Sequence, residues 1–388
     1  MGQKSEELHA ASLLRMRRVM KCTGMLPIGQ NLFAKVFCNV FLLVTVGFSS
    51  YGRFRFDYDL DYDFLNDHFS STIDLTNFCA LVASHLVVVM ELLWGNCSQD
   101  VDRQLQEIHF QIKAHLGTPV STLRARAYCN AVYWSSFIRL LIFCLLTVYN
   151  NRALTYYALY SEIVLMFRFS EFTLYCAVIW FLYQELVLGA TNVVKELDKT
   201  RFELWSIGRM SLEKLPKLQR IHGSLWQSIR CLERYFQISL ITLLMKFFID
   251  TSALPYWLYL SKIQHPEMSI KLYVAFDECI KILEIVVPCY ICSQCEAMQR
   301  KLRSMFYTIT TDRRNGQLNA ALRRLNLQLS QEKYQFSAGG LVEITTEMLG
   351  KFLFGVISYI VICIQFSINL RASNSHKLAL STTPSAIT

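Results

Sequence analysis

The chain has 388 residues, of which 53% are hydrophobic and 18% charged, with a mean hydropathy of +0.28. That balance is too apolar for an ordinary soluble protein. The net charge of +9 would suit nucleic acid, but the basic residues are dealt out between alternate loops of a membrane protein, and nucleic acid is excluded as a partner.

The leading residues are basic and polar, with no short apolar core and cleavage site, so no cleavable signal peptide is expected. The first crossing serves as its own membrane signal. Before it, the basic and partly amphipathic stretch 13–21 is expected to lie against anionic lipid of the inner leaflet. Seven segments are then apolar enough to cross a bilayer: 33–51, 73–94, 131–149, 163–188, 238–260, 272–292 and 349–370. The third and fourth carry charges near mid-span, and the sixth is the least apolar.

Lys and Arg sort unevenly between the intervening segments. The leading tail and the second, fourth and sixth loops hold 26 of them, whereas the other loops and the trailing tail hold 7. By the positive-inside rule the amino terminus is cytoplasmic and the carboxyl terminus extracellular. Asn96-Cys97-Ser98, the glycosylation sequon, then falls inside and stays unmodified. None of the thirteen cysteines sits centrally in an outside loop, which argues against an extracellular disulfide framework.

In the first outside loop, Asp57 to Asp63 alternates acid with Tyr or Leu; it reads as solvated charge or as a cation-concentrating vestibule. Glu91 closes the second crossing. Helical spacing through Val101, Leu105, Ile108, Ile112 and Leu116 then predicts a cytoplasmic helix. Arg139 lies in the third crossing, Arg168 and Glu171 in the fourth, and Lys246 and Asp250 in the fifth. The sixth opens with Asp277, Glu278, Lys281 and Glu284. Such charges face a bundle interior or a wet cavity. Lys246 with Asp250, and Asp277 with Lys281, are one turn apart and can pair locally. The alternative is an outward-opening ligand pocket, with Arg168, Glu171, Lys246, Asp250, Tyr256 and Trp257 as its candidate lining. The outer aromatics equally suit an interfacial belt.

The long basic fourth loop has helical apolar spacing from Leu212 to Leu232, broken at Pro216, so the fourth and fifth crossings are expected to continue into the cytoplasm. Pro288 is expected to kink the sixth crossing. Cys289, Cys292 and Cys295 read as packing residues, since helical spacing without histidine fits zinc poorly. Leu318, Leu322, Leu325 and Leu329 then mark an amphipathic cytoplasmic helix of heptad-like spacing. Ser337-Ala338-Gly339-Gly340 follows as a flexible break.

The last crossing carries a polar stripe: Lys351, Gly355, Ser358, Ile362, Gln365 and Asn369 fall on one helix face. It runs for roughly 27 Å, close to the hydrocarbon thickness. Two readings stand on the residues alone: interhelical glue, or the lining of a pore. No phosphate-cradling glycine loop, metalloprotease histidine pair or serine-nucleophile elbow is present, so neither an enzyme nor a cofactor or metal site is expected.

Ser358-Tyr359-Ile360-Val361-Ile362-Cys363-Ile364-Gln365-Phe366 resembles the carboxyl-terminal signature of insect gustatory receptors: Thr-Tyr, five hydrophobic residues, Gln-Phe. Only Ser358 departs, and it keeps the hydroxyl. The resemblance implies an all-α, polytopic fold of seven transmembrane helices acting as a ligand-gated, nonselective cation channel. It implies four subunits, alike or related, around one pore lined by the last crossing, with a small-molecule tastant, foremost a bitter one, entering each subunit from outside. Gln365 and Phe366 fall at the implied constriction, with Ile362, Tyr359 and Ser358 on the same helix. Leu318 to Leu329 belong to the implied anchor. The implied organisation is a six-helix ligand-binding bundle over 1–300, an anchor region over 301–340, the pore helix over 341–370 and an outside tail over 371–388, in the plasma membrane of a sensory neuron. A G-protein-coupled receptor is the main rival, but the third crossing lacks an Asp-Arg-Tyr end and the seventh an Asn-Pro turn. A transporter is the other alternative.

Overall fold

The computed structural model describes residues 10–26, 32–57, 68–94, 97–116, 122–150, 153–200, 206–263, 268–309 and 316–381. Most of the acidic run, residues 58–63, lies outside them. Eleven helices are described: α1 (Ala10–Cys22), α2 (Leu32–Asp57), α3 (His68–Trp94), α4 (Cys97–Leu116), α5 (Thr122–Asn150), α6 (Ala153–Thr200), α7 (Ser206–Tyr235), α8 (Gln237–Ile263), α9 (Met268–Tyr307), α10 (Gly316–Gln331) and α11 (Thr346–Ser381). Between the last two lies a hairpin of β1 (Ser337–Ala338) and β2 (Val342–Glu343), antiparallel, with Ala338 opposite Val342.

Hydrophobicity decides which helices cross. Five are long and apolar enough, over Phe33–Gly52, Ser71–Leu92, Ala127–Leu145, Tyr157–Leu197 and Thr346–Asn369, and α7 with α8 qualifies as a bent pair. The first half of α9 carries the charges noted above, so composition alone marks it less clearly. The core is built around α6, 89% of whose apolar stretch is buried. Its 48 residues extend about 70 Å at 1.5 Å per residue, more than a bilayer needs. Helices α2, α3, α4, α5, α7 and α9 all pack on it.

The stretch that projects beyond the apolar zone continues the same core. Val101, Leu105, Ile108 and Ile112 of α4 are buried, as are Leu215, Leu218, Ile221, Leu225, Ile229 and Leu232 of α7. Their 3.6-residue spacing put each set on one face. Four details differ from expectation. Pro216 does not break α7; buried Leu215 and Leu218 on either side hold the helix through it. The fifth crossing does not run straight into α7, since the chain bends by 64° between α7 and α8, at Phe236. The segment Ser337–Gly340 is an ordered turn rather than a flexible break. Gly339 and Gly340 take positive φ of 57° and 73°, the region glycine enters freely, and Leu341 N donates to Ala338 O at 3.0 Å. Finally, α11 continues past Asn369 to Ser381.

The basic α1 lies on the bundle with Met16 and Met20 fully buried. Arg17 donates to Asp102 of α4 and to Tyr175 of α6, while Arg15, Arg18 and Lys21 stay exposed. Burial holds the Asp102 carboxyl above its ordinary value, and the Arg17 guanidinium beside it offsets only part of that rise.

Candidate functional site

Three constellations gather the residues singled out by the sequence. The first lies where α3 and α6 meet the α7–α8 bend. Arg168 is fully buried and donates to Glu171 at 2.9 Å, Glu91 at 3.0 Å and Tyr235 O at 2.7 Å. Its guanidinium lies 4.1 Å and 4.0 Å from the ring centres of Tyr235 and Phe236, a double stack that a planar cation allows. The other oxygen of Glu91 accepts from Ile238 N at 2.6 Å and Ser239 N at 2.7 Å. A helix start leaves its first N–H groups without partners, so a carboxylate from α3 caps α8. One network thus engages both terminal nitrogens of a buried guanidinium, leaving its Nε without an acceptor, and pins the bend.

The second constellation joins four helices. Lys246 of α8 donates to Glu162 of α6 at 3.0 Å and pairs with Asp250 one turn on. Asp250 in turn faces Lys281 of α9 at 3.7 Å. Arg139 of α5 pairs with Glu284 of α9. Lys281 therefore reaches across to α8, where the sequence had offered Asp277 as its neighbour; the Asp277 side chain lies outside the described residues. Trp257 sits in α8, and its side chain too lies outside them. Buried pairs of this kind are stable only when each charge keeps its partners.

The third constellation belongs to α11. Tyr256 and Ala253 of α8, Ile73 of α3 and Cys363 of α11 form a small buried cluster of their own. Phe352 and Tyr359 of α11 pack on Phe248 with ring centres 5.7 Å and 6.1 Å apart, and a Cβ on Gly355 would stand 3.2 Å from that ring. Phe352, Val356, Tyr359 and Cys363 thus define the face that α11 turns to its own chain. At 100° per residue the polar stripe lies about 110° around the helix from it. Ser358 bonds its own helix, donating to Phe354 O at 2.9 Å, so its hydroxyl is already served without a neighbouring helix. Gln365 and Asn369 are exposed, as are Ile362 and Phe366 at 58% and 51%. Only 17% of the apolar stretch of α11 is buried, against 89% for α6. Among the apolar stretches of the described residues, the one of highest hydropathy is thus among the least covered by its own subunit.

Helix α10 precedes α11 in the chain. Leu322, Leu325 and Leu329 are buried and Leu318 is half-buried, and α10 packs on α7 and α9 of the same chain. The leucine face is therefore used within the subunit, a partner that heptad spacing cannot distinguish from a second copy. Below it, Tyr334 donates to His222 O at 2.7 Å, and His222 Nδ1 lies 3.0 Å from Glu332. Burial pushes the Tyr334 phenol well above its ordinary value, which keeps the hydroxyl a donor. Sequence reading missed this hub, because its members are separated by over a hundred residues and none is unusual locally. It also missed Glu162, which a count of carboxylates in apolar stretches would have raised.

Comparison with known proteins follows the geometry. Residues 13–370 match the family described as 7tm Chemosensory receptor. The chain is 72% identical over 372 residues to gustatory receptor 98a of Drosophila melanogaster, across 96% of this chain and 95% of that one. Gustatory receptor 98b of the same fly is 25% identical over 224 residues, 56% of this chain and 55% of its own. Among solved structures, the insect olfactory receptor OR5 from Machilis hrabei in complex with eugenol aligns with a TM-score of 0.52 at 11% identity, covering 91% of this chain and 99% of that one. A second structure of that receptor gives 0.54 over the same shares. At such identity the likeness concerns the fold alone, and with the family match it makes α9 the remaining helix of a seven-crossing bundle.

Proposed function

Because the chain belongs to the insect gustatory receptors of the 7tm chemosensory receptor family, we propose that it is a subunit of a ligand-gated, nonselective cation channel. Its cue is a nonvolatile small molecule, a bitter compound foremost. Four subunits, identical or related, place their α11 helices around one pore. The amino terminus faces the cytoplasm, in keeping with the distribution of Lys and Arg.

The observation that carries this reading is the uncovered face of α11. An apolar helix that leaves its polar stripe outside its own subunit needs other protein or water against that stripe, because unpaired amides in hydrocarbon are costly. Copies of the same helix around an axis supply both. Phe366 and Ile362 then occlude the closed pore by dewetting, and Gln365 offers its amide to partly dehydrated cations in the open one. Subunit contacts below the membrane fall to the side of α10 opposite its leucines, where Leu327 is 57% exposed.

Ligand binds among the second to sixth crossings, in α3, α5, α6, α8 and α9, where the Lys246–Asp250–Lys281 cluster supplies buried polarity. Tyr256 reaches from this region to Cys363, so a shift of α8 bears directly on α11. A ligand moves that equilibrium only by its difference in affinity between closed and open states. The test is whole-cell recording in cells lacking native receptors, screened against a tastant panel. Gln365→Ala is expected to alter conductance or selectivity without abolishing activation. Unchanged permeation in Gln365→Ala, Gln365→Glu and Phe366→Ala alike would reject α11 as the pore lining.

A further inference from the structure

The polar line on α11 does not start at Ser358. At the beginning of the helix Lys351 Nζ stands 2.7 Å from Glu347 Oε1, with side-chain exposures of 75% and 78%. At 100° per residue Glu347 falls within about 40° of the line through Lys351 and Asn369. Both belong to the arc that the subunit leaves open. The Glu343 carboxylate in β2 lies within electrostatic reach of the same ammonium. One carboxylate is thus paired with the ammonium, and a second adds to the negative field around it.

The position of this group is held firmly. Ile344 N donates to Phe336 O at 2.8 Å, and Thr346 N donates to Ser293 Oγ of α9 at 2.9 Å. The hairpin and the first turn of α11 are thus tied to the body of the subunit. An exposed ion pair one turn apart does little for folding, and a glutamate in a first helical turn also suits the helix dipole. Neither reason requires a lysine on the open stripe, where a bare ammonium would repel cations.

We propose that Glu343, Glu347 and Lys351 form a charge ring at the cytoplasmic mouth of the channel and set its cation conductance, with Glu347 holding Lys351 in check. This rests on reading α11 as the pore helix. Repeated around an axis, the group carries a net negative charge per subunit, which raises the local cation concentration. The effect acts on cations entering from the cytoplasm and is screened within about 10 Å at 0.1 M salt.

The test is recording from excised inside-out patches of cells expressing the full chain, at low and high ionic strength. Lys351→Gln is expected to raise the ratio of outward to inward conductance about two-fold at low salt. Glu347→Gln, which removes the ammonium's ion-pair partner, is expected to lower it by a similar factor, and the exchange E347K/K351E to restore it. High salt should collapse both differences. As a second measurement, Lys351→Cys is modified from the cytoplasmic face with positively or negatively charged methanethiosulfonates, the unmodified chain serving as control for its own cysteines. Opposite changes in outward current support the ring. Silence of both pair variants and of the modified cysteine overturns it. If Gln365→Ala still changes permeation, only the ring falls; if Gln365→Ala, Gln365→Glu and Phe366→Ala are all silent too, the pore reading falls with it.

Discussion

Arg168 illustrates what a single residue can and cannot announce. An arginine in mid-crossing marks a place where the bundle must supply acceptors, and that much was legible. Its partners were not: Glu91 and Tyr235 lie 77 and 67 positions away, and only folding brings them together. Three acceptors and two aromatic faces leave this cation engaged as a structural clamp, whatever else its neighbourhood binds. Arg168→Met removes the cation and strands Glu91 and Glu171 in a dry interior. The expected cost is about 3–5 kcal/mol, read as a lowered melting temperature of the detergent-solubilised protein with and without tastant. If the variant keeps wild-type stability and loses only ligand response, Arg168 is a recognition residue instead.

At the scale of elements, periodicity carried far. The apolar faces of α4, α7 and α10 were readable because 3.6-residue spacing has one physical meaning in a helix. Direction changes were harder. The bend at Phe236 has no proline or glycine beside it, and it persists because Glu91 caps the start of α8 from another helix. Pro216 sent the opposite signal and was overruled by the leucines around it. Gly339 and Gly340 signalled a turn, yet their order depends on α8: a Cβ on Gly339 would sit 2.4 Å from Ile241 Cδ1 and 3.0 Å from Gln237 O. Gly339→Ala is therefore expected to cost about 1–3 kcal/mol, through both the left-handed backbone and the clash. Gly340, with nothing within 4 Å, pays only the backbone part. Thermal melting of the two variants separates these contributions; equal losses would contradict the packing of the turn on α8.

Across the whole molecule, hydropathy and the signature at Ser358–Phe366 located the membrane helices and their family. They left open which helix is central and which is peripheral, because a single sequence does not say which apolar face meets lipid and which meets protein. The contrast between α6 and α11 answers that within one chain. Orientation rests on charge, and it has a direct check. A tag after residue 388 is expected to be labelled on intact cells and one before Met1 only after permeabilisation; the reverse pattern would refute the proposed topology.

The bend held by Glu91 and Arg168 has a mechanical corollary. Helix α7 has 30 residues, so it is an arm about 45 Å long hinged at one end. A rotation of only about 3° at the elbow would displace its far end by roughly 2 Å, together with the faces of α4 and α10 packed along it. The clamp sits at the fulcrum, where a small torque has the longest reach, and loosening it would be felt first at the end of the arm most distant from it.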